Sequence, residues 1–191
     1  MLEHLAALDR ALFTAINRGT VNPVFDWLMP FVSNDGPFKI PFLVLWIGLI
    51  LRGGRARTAA LWVVPLIALS DQASSFWIKH TVERTRPCAA LEGVRLLAGC
   101  SGSFSMPSSH AANSGAAVAH FVFFFPRLWP ALVPIALVVA YSRVYVGVHY
   151  PADVLVGLLV GVAAATTIQA LRRLSIRALA RWRRHRAQPN P

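Results

Sequence analysis

The stretch of sequence that decides the fold runs from residue 142 to residue 153 and reads SRVYVGVHYPAD. It places Arg143, His149 and Asp153 at fixed offsets between two apolar runs. Charged groups beside the hydrocarbon of a membrane are costly, so they usually serve a function. The stretch therefore predicts a functional site at the point where two membrane helices meet.

The composition is that of a membrane-embedded chain. Its 191 residues correspond to one domain by length, 55% of them are hydrophobic, and only 14% are charged. A soluble globular domain carries about 25% charged residues. We therefore predict that the lipid bilayer is the main partner of this chain.

The charge balance is strongly basic, with 19 Lys and Arg residues against 8 Asp and Glu residues, which by itself would indicate a nucleic-acid partner. Seven of the arginines, however, fall in residues 172–191, directly after an apolar run. Such a tail is typical of a contact with anionic lipids and of a topology signal. No nucleic-acid partner is predicted.

Apolar runs predict the fold class, an all-α polytopic membrane helix bundle with about five transmembrane helices. The runs cover residues 37–51, 58–78, 108–125, 128–148 and 152–171. Residues 1–36 precede them as interfacial helices, an amphipathic one over 2–18 and a shorter one that Asn22 caps. The predicted division is these helices, a transmembrane bundle over 37–171 with an outer loop at 81–105, and a basic cytoplasmic tail over 172–191. The sequence leaves open whether the N-terminal segment adds a sixth span.

The arginines also predict the orientation. The loop at 52–57 contains three arginines and the tail is the densest basic segment, so both are expected in the cytoplasm. With five spans the two assignments agree, and the polar segments 79–110 and 142–153 then share the outer face. We predict a multi-pass protein of the inner (plasma) membrane with its site on the periplasmic, outer side and its C-terminus in the cytoplasm.

The charged residues on that face suit a phosphate group. Three cations, Lys79, Arg86 and Arg143, match the two negative charges of a phosphate ester or diphosphate. Residues 107–110, PSSH, open a predicted helix whose free N–H groups and positive dipole end form an anion seat. The Ser108 hydroxyl can add a donor there.

Two histidines and a carboxylate add reactive groups. His149 and Asp153 are four residues apart around Pro151, a spacing that suits the first turn of a helix. A carboxylate one turn away can hold one imidazole nitrogen and leave the other free to attack. His110 is then suited to protonate a leaving oxygen and to activate water. Spacing alone does not decide which histidine attacks.

These residues form three blocks, Lys79-x6-Arg86-Pro87, Pro107-Ser108-Ser109-His110 and Ser142-Arg143-x5-His149-x3-Asp153. Their order and spacing resemble the three-part signature of the type 2 phosphatidic acid phosphatase family, over residues 70–160 or about half of the chain. One departure is Ser109, since the second block of the family often has glycine there. We expect slightly tighter packing around the phosphate at this position and no loss of activity.

The resemblance implies a phosphatase that needs neither a metal nor a cofactor and works through a phosphohistidine. It makes His149 the nucleophile, Asp153 the residue that orients it, and His110 the general acid and base. It assigns the phosphoryl group to Lys79, Arg86, Ser108, Arg143 and the backbone of Ser109 and His110.

The substrate that the resemblance implies is a phosphomonoester or diphosphate of a membrane lipid. Undecaprenyl diphosphate is favoured by analogy with short bacterial-looking members of the family. Phosphatidylglycerol phosphate, phosphatidic acid and the 1-phosphate of lipid A are the other candidates.

Other functions stay open on the sequence. A lipid phosphotransferase would use the same site with a different acceptor, and a lipid A 1-phosphatase would use it with a different lipid. An anion-binding transporter would use only the basic cluster, but polar groups at one membrane face rather than at mid-depth argue against it. A metal hydrolase with His110, His149 and Asp153 as ligands is disfavoured because three cations would repel the metal. The oligomeric state is equally open.

Some single residues also have two interpretations. Asp71 lies two helical turns before Lys79, so it either supports that cation or makes structural hydrogen bonds. Cys88 and Cys100 flank the outer loop, where they are either a disulfide or two free thiols. His120 lies outside the three blocks and is expected to be a helix-contact residue.

Overall fold

A computed structural model describes the backbone of residues 2–187 and the side chains of residues 3–184, and this part of the chain is all-helical. The end of the predicted tail, residues 188–191, lies outside the described residues. A π-helical segment, Gln72–Ile78, joins the fourth helix to the fifth. The helices are α1 (Leu2–Gly19), α2 (Pro23–Ser33), α3 (Lys39–Arg52), α4 (Gly54–Asp71), α5 (Lys79–Val82), α6 (Pro87–Ala90), α7 (Ser109–Phe124), α8 (Trp129–Tyr145) and α9 (Pro151–Ala187).

Helix α7 lies at the centre of the bundle and packs most closely against α9, with α4 and α8 on its other sides. The close approach is made by glycines. A Cβ atom at Gly161 would lie 2.1 Å from the Ala112 carbonyl oxygen, and one at Gly157 would lie 2.5 Å from that of Ser108. Gly157 and Gly161, a small-xxx-small pattern in α9, therefore pack within the chain, where they bring the start of α9 against the start of α7.

Replacing Gly161 by Ala is expected to destabilise the fold by about 1–3 kcal/mol, since the added methyl group overlaps backbone atoms of α7 that cannot move alone. Thermal unfolding in detergent measures the change. Gly48→Ala is the matched control, because Gly48 of α3 has no atom within 4 Å of the added methyl group and alanine favours a helix. Equal melting temperatures for the two variants would contradict the packing role.

Helix length and hydropathy identify only some of the five predicted membrane crossings. Three helical stretches of the described chain are long and apolar enough to span a bilayer, Gly54–Ala90, Pro126–Tyr145 and Pro151–Arg184. Helices α2 and α3 form a pair bent by 63° that together would make a fourth. Helix α7 is shorter, with 16 residues. The chain is a membrane protein of the predicted class, while the count of five crossings stays a prediction.

The helix α1 is amphipathic, as predicted, and the side that faces the protein carries two buried polar residues. Asp9, Phe13 and Asn17 are buried at helical spacing. Leu5, Leu8 and Leu12 form the opposite side and are 46–57% exposed. The helix therefore packs Asp9, Phe13 and Asn17 toward α8 and α9 and turns three leucines outward, as expected of an interfacial helix.

Asn17 ties α1 to the outer loop. Its side chain donates to the carbonyl oxygens of Arg95 and Tyr145, both at 2.8 Å, and accepts from the Arg95 N–H at 2.9 Å. Nearby, Arg95 forms an ion pair of 2.5 Å with Asp26 of α2, which also accepts from the Tyr145 hydroxyl. The N-terminal helices and the outer loop thus form one connected layer over the bundle.

Cys88 and Cys100 form a disulfide within this loop. Closing a loop of this length is worth about 3 kcal/mol in the chain-entropy model. We expect the paired replacement Cys88→Ala and Cys100→Ala to lower the free energy of unfolding by about 3 kcal/mol, and the melting temperature to fall with it. Non-reducing gel mobility that does not change on reduction of the wild-type protein would contradict the disulfide.

Two further sequence predictions concern His120 in α7 and the end of α9. His120 is a helix-contact residue, as predicted, because its buried Nε2 lies 3.0 Å from the Ala59 carbonyl oxygen of α4. Helix α9 continues past the predicted end of the fifth run at residue 171, so the first part of the basic tail is an exposed extension of the same helix.

Candidate active site

The nucleophile candidate lies in the turn between α8 and α9. Gly147 adopts a φ of +89°, a conformation that favours glycine, and a Cβ atom there would lie 2.7 Å from the Arg95 carbonyl oxygen. The turn closes when the His149 N–H donates to the Arg143 carbonyl oxygen at 3.2 Å. This local fold sets the His149 ring at the start of α9.

Asp153 is placed by the N-terminus of α9. Its Oδ2 accepts from the Tyr150 N–H at 2.8 Å, which is half of a capping box, and also accepts from the Ser105 hydroxyl. The same oxygen lies 3.5 Å from His149 Nδ1, which is buried and makes no formed hydrogen bond among the described residues. Catalytic hydrogen bonds are often long before substrate binds, so this pair has the geometry of an oriented imidazole.

The His149 ring is 2% exposed, and its Nε2 lies 3.1 Å from Arg86 Nη1. Burial lowers the pKa of His149 to about 4, with Arg86 acting in the same direction and Asp153 opposing both. The imidazole is therefore neutral near pH 7. Since an arginine only donates, Nε2 is the accepting nitrogen with a free electron pair, and Nδ1 carries the hydrogen on the Asp153 side.

Arg86 is the best-anchored of the three predicted cations. Its Nε and Nη2 donate to the backbone oxygen and the hydroxyl of Ser103, at 2.8 and 3.0 Å. Its Nη1 also donates to the Val148 carbonyl oxygen at 3.1 Å. These contacts hold a buried guanidinium beside the accepting nitrogen of His149.

Lys79 and Arg143 approach from opposite sides. Lys79 Nζ donates to the Ser109 hydroxyl at 3.1 Å. Arg143 Nη1 donates to the Ser33 carbonyl oxygen at 2.9 Å and to the Ser33 hydroxyl, while its buried Nε has no hydrogen-bond partner among the described residues. Lys79 contacts Ser109 of the second block and Arg86 contacts His149 of the third, so the three predicted blocks do meet.

The helix α7 begins where it was predicted, with Ser108 as its N-cap residue. The Ser108 N–H donates to the Asp153 carbonyl oxygen at 2.9 Å, which joins the starts of α7 and α9. Its hydroxyl is buried without a partner in the described chain. Ser109 differs from the expectation that only its backbone matters, because its hydroxyl accepts from Lys79 and lies 2.8 Å from the Ser75 hydroxyl.

His110 opens onto a cavity of about 610 Å³ that Arg143 and Lys39 also line. Its Nε2 lies 3.3 Å from an Asp35 carboxylate oxygen. Asp35 belongs to the turn between α2 and α3, and the sequence offered no sign that it would reach the site. The cavity gives a head group access to His110 from the side of the N-terminal helices.

Asp71 is joined to Lys79 through two hydroxyl groups. Its Oδ1 accepts from the Ser75 hydroxyl at 3.0 Å, and Ser75 contacts Ser109, which holds Lys79. Ser75, the middle residue of this series of hydrogen bonds, belongs to the π-helical segment Gln72–Ile78. Such segments are frequent at functional sites. Of the two interpretations of Asp71, this geometry favours support of the cation.

Asp71→Asn is expected to lower kcat/KM by about 3- to 10-fold without abolishing activity, because it removes the negative charge and weakens the hydrogen bond from Ser75 by about 1 kcal/mol. Ser75→Ala breaks the same chain and should have a similar effect. Thr81→Ala removes only a hydroxyl bonded within its own helix and is the control. Full activity in Asp71→Asn with a loss of thermal stability alone would make the residue structural.

Arg84 is a residue that sequence reasoning missed. It bridges two carboxylates, donating to Asp153 Oδ1 at 2.7 Å and to Asp9 Oδ2 at 2.6 Å. The available signal was its place two residues before Arg86 in the same loop. Within residues 3–184, no group of three His, Cys, Asp or Glu side chains is placed to share a metal ion.

This chain is similar to known proteins over most of its length. A family model described as the PAP2 superfamily matches residues 59–177. A lipid A 4'-phosphatase of Bacteroides thetaiotaomicron is 27% identical over 84% of this chain and 75% of its own length. An undecaprenyl-diphosphatase of Sulfolobus acidocaldarius is 30% identical over 78% of this chain and 71% of its own.

A solved structure has the same fold. It is the crystal structure of a transmembrane PAP2-type phosphatidylglycerolphosphate phosphatase from Bacillus subtilis, with a TM-score of 0.70 and 22% identity. The match covers 89% of this chain and 87% of that one. The three proteins act on different lipids by name, so the likeness defines the reaction class and leaves the lipid undecided.

Proposed function

Because this chain belongs to the PAP2 superfamily and is a membrane lipid phosphatase, we propose that it works through a phosphohistidine formed on His149. The observation that carries the proposal is the position of one buried, neutral imidazole. Its Nε2 lies 3.1 Å from the Arg86 guanidinium and its Nδ1 lies 3.5 Å from the Asp153 carboxylate. A nitrogen with a free electron pair beside a phosphate-binding cation is placed for attack on phosphorus.

The reaction proceeds in two steps. In the first, Nε2 of His149 attacks phosphorus, a P–N bond forms, the P–O bond to the lipid breaks, and His110 gives its proton to the leaving oxygen. In the second, His110 takes a proton from a water molecule whose oxygen attacks phosphorus. The P–N bond then breaks and inorganic phosphate leaves.

Binding of the phosphoryl group falls to the cations and to the start of α7. Lys79, Arg86 and Arg143 offset its negative charge, and the N–H groups of Ser109 and His110 bind its oxygens together with the Ser108 hydroxyl. Arg86 Nη1 contacts Nε2 of His149 in the present state. On binding it passes from the imidazole to a phosphate oxygen, which frees the electron pair for attack.

The favoured substrate is undecaprenyl diphosphate. Two observations support it, the similarity to an undecaprenyl-diphosphatase and the exposed Lys39 in the cavity beside His110 and Arg143. A second cation there suits the phosphate that stays on the lipid when the terminal one is removed. A lipid A phosphatase is the second candidate, since a lipid A 4'-phosphatase is among the similar proteins.

We place the site on the periplasmic side of the inner membrane and the C-terminus in the cytoplasm. Support comes from α9, which carries Asp153 in its first turn and the arginines from Arg172 onward at its far end. Basic residues next to a span favour the cytoplasmic side.

The test is release of inorganic phosphate by purified protein in detergent with EDTA present. The substrates are undecaprenyl diphosphate, phosphatidylglycerol phosphate, phosphatidic acid and lipid A 1-phosphate, with His149→Ala in parallel. We expect release that the variant lacks, fastest from undecaprenyl diphosphate, and inhibition by vanadate as a phosphate mimic.

Other results would change the proposal in defined ways. Faster release from another lipid would replace the favoured substrate. Transfer of phosphate to an added lipid in place of release would make the protein a phosphotransferase. Loss of activity with EDTA would contradict the metal-independent reaction, and release by His149→Ala would move the nucleophile to another residue.

A further inference from the structure

We propose that Arg84 and Asp9 are positioning residues that hold the Asp153 carboxylate against His149, which makes helix α1 part of the active site. The inference rests on the proposed function, because it takes His149 as the nucleophile and Asp153 as its orienting group. Arg84 stands in the unspecified part of the first signature block, and Asp9 lies in a helix that the sequence assigns to the membrane interface.

Arg84 is held rigidly between two carboxylates and a ring. Its Nη1 donates to Asp153 Oδ1 at 2.7 Å and its Nη2 to Asp9 Oδ2 at 2.6 Å. Its guanidinium carbon lies 3.9 Å from the centre of the Tyr150 ring. The Asp153 side chain is fully buried, that of Asp9 is 9% exposed and that of Arg84 is 23% exposed. A planar guanidinium with two charge-assisted bonds and a stacked ring has little freedom to move.

The contact with Arg84 completes the hydrogen bonding of Asp153. Oδ2 is the oxygen nearest His149 and accepts from the Tyr150 N–H and the Ser105 hydroxyl. Oδ1 accepts from Arg84. With both oxygens bonded, the carboxylate cannot rotate away from the imidazole. Removing Arg84 leaves a buried, charged oxygen without its donor, and the carboxylate then turns to find another.

Asp9 preserves the negative charge that the nucleophile needs. An arginine paired with Asp153 alone would cancel the charge that stabilises the cationic ring formed during attack. Because Asp9 pairs with the same arginine, the group of three keeps a net negative charge beside His149. Asp9 Oδ1 also accepts from the Ala152 N–H at 2.8 Å, so it anchors the turn of α9 that carries Asp153.

The position of α1 explains how a helix far away in the sequence reaches His149 and Asp153. Phe13 packs edge-on against Tyr150, with ring centres 5.5 Å apart, one helical turn beyond Asp9. Both side chains are buried, while Leu8 and Leu12 of the same helix are exposed on the other side. The inner stripe of α1 therefore sets the start of α9.

The experiment compares kcat, KM and the inhibition constant of inorganic phosphate in wild type, Arg84→Gln, Asp9→Asn and the double variant. The substrate is whichever lipid of the four wild type hydrolyses fastest. We expect Arg84→Gln to lower kcat about 10- to 100-fold, the range found when residues that orient a reacting ligand are removed. Asp9→Asn should lower kcat less than Arg84→Gln does. The double variant should have the same kcat as Arg84→Gln, because both residues act through the same series of contacts, from Asp9 through Arg84 to Asp153.

The phosphate-binding cations are untouched in these variants, so KM and the inhibition constant of inorganic phosphate should stay within about twofold of wild type. A parallel loss of phosphate binding would mean that Arg84 binds the substrate itself, and this would overturn the proposal. Independent, additive effects of the two substitutions would overturn it as well. If Arg84→Gln does not fold, Asp9→Asn decides alone, since it is nearly isosteric.

The chain offers a matched control in Arg95→Gln. Arg95 also pairs with a carboxylate of an N-terminal helix, Asp26, at 2.5 Å, but this pair leads to Tyr145 and not to Asp153. Its kcat should stay near that of wild type. An equal loss in Arg95→Gln and Arg84→Gln would show that any loosening of the N-terminal helices lowers activity, which contradicts a specific role.

A readout without substrate separates this inference from the proposed function. The imidazole N–H proton of His149 is followed by NMR in protein labelled with 15N-histidine and assigned by its absence in His149→Gln. We expect its chemical shift to change in Arg84→Gln and Asp9→Asn and to stay at the wild-type value in Arg95→Gln. An unchanged resonance in Arg84→Gln refutes the positioning role even if no lipid is hydrolysed, whereas a shifted one upholds it.

Discussion

His149→Gln is expected to lower the kcat of lipid phosphate release by at least about 10⁴-fold, the scale found when a nucleophile is removed from a catalytic group. A glutamine amide has no nitrogen with a free electron pair, so no P–N bond can form. Glutamine is of similar size and fills the buried site, which is 2% exposed, so the fold should persist. Steady-state phosphate release measures the loss.

A trapped intermediate makes the result specific. Wild-type protein quenched in base after mixing with 32P-labelled lipid should carry label on histidine, and His149→Gln should carry none. His120→Gln is the control, because His120 is equally buried but bonds the Ala59 carbonyl oxygen in the bundle. Label retained in His149→Gln and lost in His110→Gln would reverse the roles of the two histidines.

Asp153→Asn should lower kcat by about 10³- to 10⁴-fold, close to the effect known for the orienting aspartate of serine proteases. An amide can turn its NH₂ group toward Nδ1 and so favour the wrong tautomer of His149. Arg84 also loses one of its two carboxylates, so thermal stability should fall. The loss must appear in kcat, with the inhibition constant of inorganic phosphate nearly unchanged.

The comparison between Asp153→Asn and Arg84→Gln orders the chain of contacts. Asp153 contacts the imidazole directly, so its replacement should lower kcat more than the replacement of Arg84. Asp9→Asn should lower kcat least. A kcat for Asp153→Asn within tenfold of wild type would show that His149 is oriented by other groups. It would also remove the basis for assigning a role to Arg84.

Most of the local features could be predicted because they depend on neighbours in the chain. Asn22 caps α2 by accepting from the Phe25 N–H at 2.9 Å, as its place before a proline indicates. The His149–Asp153 pair follows from the geometry of a helix start. The membrane class follows from composition, since no amount of tertiary packing turns so many apolar residues inward.

Long-range partners could not be predicted. The Ser109 hydroxyl holds Lys79 only because a π-helical segment brings Ser75 and Lys79 to the start of α7. The Asp35 contact with His110 depends on how α2 bends into α3. A pattern of residue types carries no signal for such pairs.

By itself the sequence determined that this protein is a helical membrane protein. Its three motifs indicated a phosphatase by resemblance to a family, and they named the residues that bring charge and reactivity to the candidate site. Helix periodicity, capping and the cost of charge near lipid are local, so they can be read along the chain. Only the tertiary structure decided that α1 turns Asp9 inward to meet Arg84, and that this pair reaches Asp153. Both sides of an amphipathic helix obey the same periodicity, and the choice of side depends on partners far away in the chain.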